Sequence, residues 1–299
     1  ALIGGAMIAG LPASAEVPPA AAAQSAKIES RAVVAEVRKI IAGRYVLPER
    51  RPRIDAALAR GLASGRYDVS DPRELASRIS ADIGEAGQDG HLYFSHDPAG
   101  AARLASPAGE GLGNQAAFER IARNTNHGVA EMLVLPGNIR YISYDGFYWV
   151  GPESQAAIEH AMRFLAGGAV AIIDLRKNGG GSPDAVQYMI SHFLPPGRPL
   201  VEFHMGGEPE PDRRVTLTDL PAGRMVGKPL YVLTSHGSAS AAEEFAGHVR
   251  GFRLGELVGG TTAGAAFRNE VVPVAARFVL SVSGGRPVVA PSGGGWERP

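Results

Sequence analysis

The sequence predicts an α/β protein in which a small helical unit precedes a run of alternating strands and helices. Three observations carry that prediction. Apolar residues recur at helical spacing between Val33 and Ile83. From Met132 onward, short apolar runs alternate with amphipathic stretches, the pattern of a mostly parallel sheet with helices on its faces. The chain has 299 residues, 45% hydrophobic and 20% charged, which is ample material for a sizeable core.

Composition excludes several chemistries. Thirty basic and thirty acidic residues cancel, so no global field draws the chain to nucleic acid or to an anionic membrane. There is no cysteine, which removes disulfides, thiol nucleophiles and thiolate metal sites. No His-Glu-x-x-His pair or other tight ligand cluster occurs among the eight histidines, so neither a metal nor any other cofactor is expected. The lysines are Lys27, Lys39, Lys177 and Lys228, and none follows residue 240.

The elements follow in order. Residues 1–15 read as the remainder of a secretory signal: Ala1–Leu11 is apolar but too short to span a membrane, Pro12 breaks it, and Ala13-Ser14-Ala15 has the form of a cleavage site. A disordered Ala-rich leader is the plainer alternative. The expectation is an exported protein, periplasmic or secreted, with a mature start near Glu16 and no stable membrane span. Residues 28–95 form the helical unit, from Val33, Val34, Val37, Ile40 and Ile41, then Ile54, Ala57, Leu58 and Leu62, then a helix opened by Ser70-Asp71-Pro72. Asp89-Gly90-His91 turns the chain into an extended segment, and residues 96–131 begin as a small-residue and proline stretch read as a linker or flap.

Residues 132–299 form the alternating domain. Strands are expected at Leu133–Leu135 and Ile139–Tyr144, a helix at Ala156–Leu165, and a strand at Ala169–Leu175 whose continuous apolar character suggests burial on both faces. A helix at Asp184–Leu194, a strand at Leu230–Leu233 and a helix at Ala241–Val249 come next. Short strands then follow near Glu256–Val258, Glu270–Val274, Arg277–Val282 and Pro287–Ala290. No internal repeat is visible.

Within this domain, Tyr231–Phe245 delivers Ser240 from a strand to the start of a helix. Unpaired backbone N–H groups and the positive helix end favour negative charge there, so an oxyanion beside Ser240 would be stabilised. Ser240 equally fits an ordinary N-cap, with Glu243 closing a capping box. Asn178-Gly179-Gly180-Gly181 follows a buried strand, where glycines let backbone N–H groups turn toward an anion. A flexible strand-to-helix turn would look the same. A nucleophilic serine needs a base and usually an orienting group. His236 and His248 are near Ser240 in sequence, whereas His91 lies at the junction of the two units.

Three ordered motifs, Ile172–Gly181 (IIDLRKNGGG), Thr234–Phe245 (TSHGSASAAEEF) and Leu257–Ala266 (LVGGTTAGAA), together resemble the C-terminal processing, or tail-specific, serine peptidase family. Asp89-Gly90-His91-Leu92 and Leu135–Phe147 (LPGNIRYISYDGF) look like the branch containing interphotoreceptor retinoid-binding protein and the catalytic core of tricorn protease. The resemblance runs from about Ile28 to the C-terminus. It implies a crotonase/ClpP-like ββα domain joined to a helical N-terminal domain, with no room for a PDZ domain between His91 and Met132.

Carried over residue by residue, the resemblance implies Ser240 as nucleophile and the N–H groups of Ala241 and of Gly180 or Gly179 as the oxyanion hole. The tail-specific branch uses a lysine base in Thr-Phe-Gly-Lys; here Thr262-Ala263-Gly264-Ala265 places Ala265 at that position, which excludes a Ser–Lys dyad. The other branch uses histidine and an acid, implying His91 as base and Glu297, in Gly-Gly-Trp-Glu, as the group holding the imidazole. Two departures stand out. Relatives continue beyond Trp-Glu with Gly-Val-x-Pro-Asp where this chain stops at Pro299, and Gly264-Ala265-Ala266 replaces the usual Gly-Gly-Ala. The implied activity is hydrolysis of a peptide or protein substrate. The competing reading is a non-catalytic module that binds hydrophobic, retinoid-type ligands, and a small-molecule esterase is a third. Ser240, His91, Glu297 and the glycine run together favour the enzyme, because burying a ligand requires no such combination.

Overall fold

The computed structural model describes residues 29–105, 112–206 and 208–296. Three helices open it: α1 (Ser30–Arg44), α2 (Arg51–Ala63) and α3 (Pro72–Gly87). Asp71 caps α3 by accepting the Arg73 N–H, and Pro72 fills the first helical position, where a missing N–H costs nothing. Strand β1 (Tyr93–His96) follows, then α4 (Pro98–Ala105), α5 (Leu112–Asn124) and β2 (Val129–Leu135). The expected linker thus carries two helices on either side of residues 106–111.

Next come β3 (Ile139–Tyr144), α6 (Pro152–Ala166), β4 (Val170–Asp174), α7 (Pro183–Ser191), β5 (Pro199–Met205) and β6 (Asp212–Val215). The chain closes with β7 (Leu230–Thr234), α8 (Ala241–Gly251), β8 (Glu256–Gly259), β9 (Arg268–Val274) and β10 (Phe278–Val289). Strands β2-β3-β4-β7-β8 form one sheet, antiparallel between β2 and β3 and parallel from β3 to β8. The other sheet is antiparallel and runs β1-β10-β5-β6, with β9 also paired to β10.

Among the described residues, helices cover one face of the parallel sheet and not the other. Ile142, Tyr144, Ala171, Ile173 and Val232 are buried in one core with residues of α6, α7 and α8. Across the sheet, Tyr141, Ile172 and Leu233 are only half-buried and Tyr231 is exposed. The expectation that β4 is buried on both faces is therefore corrected: full burial on both faces requires helices on both sides.

The second core joins the beginning and the end of the chain. Val34, Ile54, Leu75 and Ile79 of the helices pack with Phe267, Phe278, Leu280 and Val282. Strand β10 is one continuous element where two short strands were expected, and its far end, Val289, belongs to the first core. This strand ties the helical unit, and the turn carrying His91, to the sheet that carries Ser240.

Candidate active site

Loops at the C-terminal ends of the parallel strands β4 and β7 build the site, the position where sites collect in open α/β sheets. After β4, Asn178 is fully buried; its Nδ2 donates to the Tyr144 carbonyl at 2.7 Å, and its Oδ1 accepts the Gly180 N–H at 2.9 Å. After β7, Ser238 Oγ donates to the Leu175 carbonyl at 2.7 Å, Ser235 Oγ to the Arg176 carbonyl at 2.7 Å, and the Ala239 N–H to the Asn178 carbonyl at 3.0 Å. The two loops are thereby laced together backbone to side chain.

Ser240 sits where they meet, with φ +53° and ψ −116°. An ordinary N-cap has an extended backbone, and a positive φ in a non-glycine residue with this ψ is a strained, glycine-like conformation. Glu243 does close its half of the capping box, accepting the Ser240 N–H on Oε2 at 2.9 Å. Ser240 thus starts α8 on a sharp strand-to-helix turn, with a backbone unlike that of an ordinary N-cap.

Gly180 lies directly against this turn. With φ +108°, it has room for no side chain: a Cβ there would stand 2.8 Å from Ser240 Cβ and 3.2 Å from the Ala241 nitrogen. Gly179 beside it faces open space. Among the described residues, the N–H groups of Gly179 and Ala241 have no hydrogen-bond acceptor, whereas that of Gly180 is engaged by Asn178.

His91 lies on the turn that follows α3 of the helical unit. Its backbone N–H donates to Asp89 Oδ1 at 2.8 Å, and its carbonyl accepts from Ser281 Oγ on β10 at 2.6 Å. The preceding Gly90 packs on Ala265, where a Cβ added to the glycine would meet Ala265 Cβ at 3.3 Å. Burial holds the His91 imidazole below its ordinary value, against the opposing pull of the Asp89 and Glu243 charges. It is therefore neutral at neutral pH.

Glu243 is the hub of this corner, beyond the capping role that sequence spacing assigns it. Its carboxylate also accepts the N–H groups of Gly264, at 2.6 Å on Oε1, and Ala265, at 2.8 Å on Oε2. The Ala265 carbonyl in turn accepts the Trp296 indole N–H at 3.1 Å. The strap Ala263–Ala266 thus links the serine turn, the Gly90-His91 turn and the segment leading to residue 297. Glu297 itself lies outside the described residues. The side-chain bond of Asn178 to Tyr144 and the strap contacts of Glu243 escaped sequence reasoning, because no local pattern announces a hydrogen bond spanning 21 or 34 residues.

A profile of peptidase family S41 matches residues 138–298, more than half of the chain. The chain belongs to peptidase family S41. A second profile, the N-terminal domain of the S41 peptidase in eukaryotic IRBP, matches residues 21–121. Solved structures agree at the level of fold. The photosystem II D1 C-terminal processing protease superposes with a TM-score of 0.53 at 16% identity, covering 90% of each chain. Mature CPAF complexed with lactacystin gives 0.59 at 11% identity, over 90% of this chain and 92% of that one. Tricorn protease gives 0.51 at 12% identity over 85% of this chain, which spans 32% of tricorn's length. This S41 chain is accordingly a serine-type peptidase, and neither family match includes a PDZ module.

Proposed function

We propose that the chain is an exported peptidase of the C-terminal processing type, working by acyl transfer through Ser240 with His91 as general base. His91 takes the proton from Ser240 Oγ as that oxygen attacks the scissile carbonyl carbon. The resulting oxyanion is received by the Ala241 N–H and by Gly179, or by Gly180 once its N–H turns from Asn178. Collapse of the intermediate breaks the C–N bond, and His91 returns its proton to the leaving amine. Water, deprotonated by the same imidazole, then hydrolyses the acyl-enzyme. Glu297 would hold the imidazole in the required tautomer, directly or through another polar group.

One observation carries this reading: Ser240 adopts a strained φ of +53° at the start of α8, with Gly180 pressed against it. A capping serine needs no such backbone, and ligand burial needs no glycine at that contact. Export is supported by the apolar run Ala1–Leu11 with Ala13-Ser14-Ala15 behind it. N-terminal sequencing of the full-length precursor's product in an exporting host should place the mature start near Glu16; retention inside the cell would remove export.

A serine-directed phosphonate probe tests the chemistry. The expected result is labelling of the wild type that disappears in Ser240→Ala. Labelling that persists in Ser240→Ala, or a wild type that neither labels nor cleaves any peptide in a library, would leave the ligand-binding module as the better reading.

A further inference from the structure

We infer that Asp89 is a positioning residue for His91, acting as the buried counter-charge to the imidazolium formed during turnover, with Tyr45 as its own support. This rests on His91 being the base of the reaction proposed above. The turn Asp89-Gly90-His91 follows α3, and Asp89 Oδ1 accepts the N–H two residues on, an arrangement by which aspartate ordinarily stabilises an exposed turn. Here the aspartate is only 7% exposed, and its second oxygen, Oδ2, is fully buried without a hydrogen-bond partner among the described residues. A turn alone gives no reason to bury a carboxylate, since an unpaired buried charge is costly.

Two more buried polar atoms, His91 Nδ1 and Tyr45 Oη, lie in the same region without a hydrogen-bond partner among the described residues. Tyr45 is completely buried, and its phenol is held far above its ordinary value, first by burial and then by the nearby Asp89 charge. It therefore keeps its proton beside Asp89. Arg50, whose charge opposes that shift, donates through Nη1 to the Gly87 and Gln88 carbonyls at 2.8 and 3.1 Å and holds the chain leading into the turn. The charges acting on His91 are those of Asp89 and, from α8, Glu243. Glu243 is already engaged by three backbone N–H groups. Asp89 retains a free oxygen. When His91 accepts the serine proton, the charge created in this corner is balanced by Asp89, whose carboxylate the turn bond holds to the His91 backbone.

The test compares wild type, Asp89→Asn and Tyr45→Phe by two readouts. One is the pH profile of kcat/KM and kcat on a cleaved peptide. The other is the His91 titration followed by NMR of histidine-labelled protein, assigned with His91→Gln, which requires no activity. Asn keeps a turn-forming oxygen but loses the charge. In Asp89→Asn the His91 titration and the acid limb should move down by about one pH unit, with kcat lowered roughly ten- to a hundredfold and KM little changed. Tyr45→Phe removes the hydroxyl that shares the carboxylate's charge, so the same titration should move up. Unchanged His91 titrations in both variants would overturn the proposal. So would an Asp89→Asn enzyme with wild-type kcat and acid limb. If Asp89→Asn does not fold, an unshifted His91 in Tyr45→Phe overturns it and an upward shift supports it. A His91→Gln enzyme with full turnover would instead sink the catalytic reading, while the titration shifts would still report on the Asp89–His91 coupling.

Discussion

A methyl group on Gly180 would stand 2.8 Å from the Cβ of Ser240, so the glycine run after β4 is fitted to the serine turn after β7 atom by atom. Gly180→Ala should therefore push the two loops apart. The substitution also meets an unfavourable φ of +108°, adding about 1–3 kcal/mol of strain. The expected outcome is a lower unfolding midpoint and loss of most phosphonate labelling. Gly179→Ala, whose Cβ would meet nothing within 4 Å, should fold like wild type.

Ser240 itself stores strain. Glycine tolerates its backbone conformation while alanine does not, so Ser240→Gly should be more stable than Ser240→Ala by roughly 1 kcal/mol or more, with both inactive. Urea unfolding of the pair checks this directly. Equal midpoints would show that the turn is not strained.

Glu243→Gln replaces a carboxylate that accepts three N–H groups with an amide offering one oxygen and one misplaced donor. A destabilisation of about 3 kcal/mol is expected, the scale of breaking a buried charge-assisted cluster. Turnover should fall as well, because the strap that touches Gly90 loosens with the serine turn. Thermal melting combined with steady-state kinetics separates the two effects.

Stability should decline as pH falls below about 6.5, before most carboxylates titrate. His91 and His192 are both held below their ordinary value, chiefly by burial. The unfolded chain therefore binds more protons than the folded one, from the unfolded histidine value down to the two lowered ones, and stability is lost as pH drops through that window. Unfolding midpoints at pH 7.5, 6.5 and 5.5 should show the decline. His91→Gln should reduce its slope by removing one of the two titrations.

Much of this was legible locally. The helical periods around Val34, Ile54 and Ile79, the apolar run of β4 and the serine turn before α8 each betray themselves within a dozen residues. Strands β5 and β6 did not, because they sit in an antiparallel sheet whose pattern is broken by Gly206, Pro209 and Pro211 rather than in the alternating register of the parallel one. The full length of β10 was hidden by Gly284 and Gly285, which separate the two expected strands but lie within the single one, at a register shift against β9. Alanine and glycine made α4 look like a linker; its buried Gly100 and Ala101 show that its small residues serve close packing.

By itself, the sequence determined which residue types were available and in what order: a serine ahead of a helix, a glycine run after a strand, a histidine at a junction, and no lysine downstream. These are properties of neighbours along the chain, and short-range sterics and capping make them readable. Only the tertiary structure decided that Gly180 presses on Ser240, that Glu243 binds the strap as well as the cap, and that Asp89 is buried with an oxygen to spare. Those relations join segments tens of residues apart. They exist because β4 and β7 pair side by side, which brings their following loops together, and because β10, within the antiparallel sheet, shares one core with the helical unit and reaches the other core at Val289.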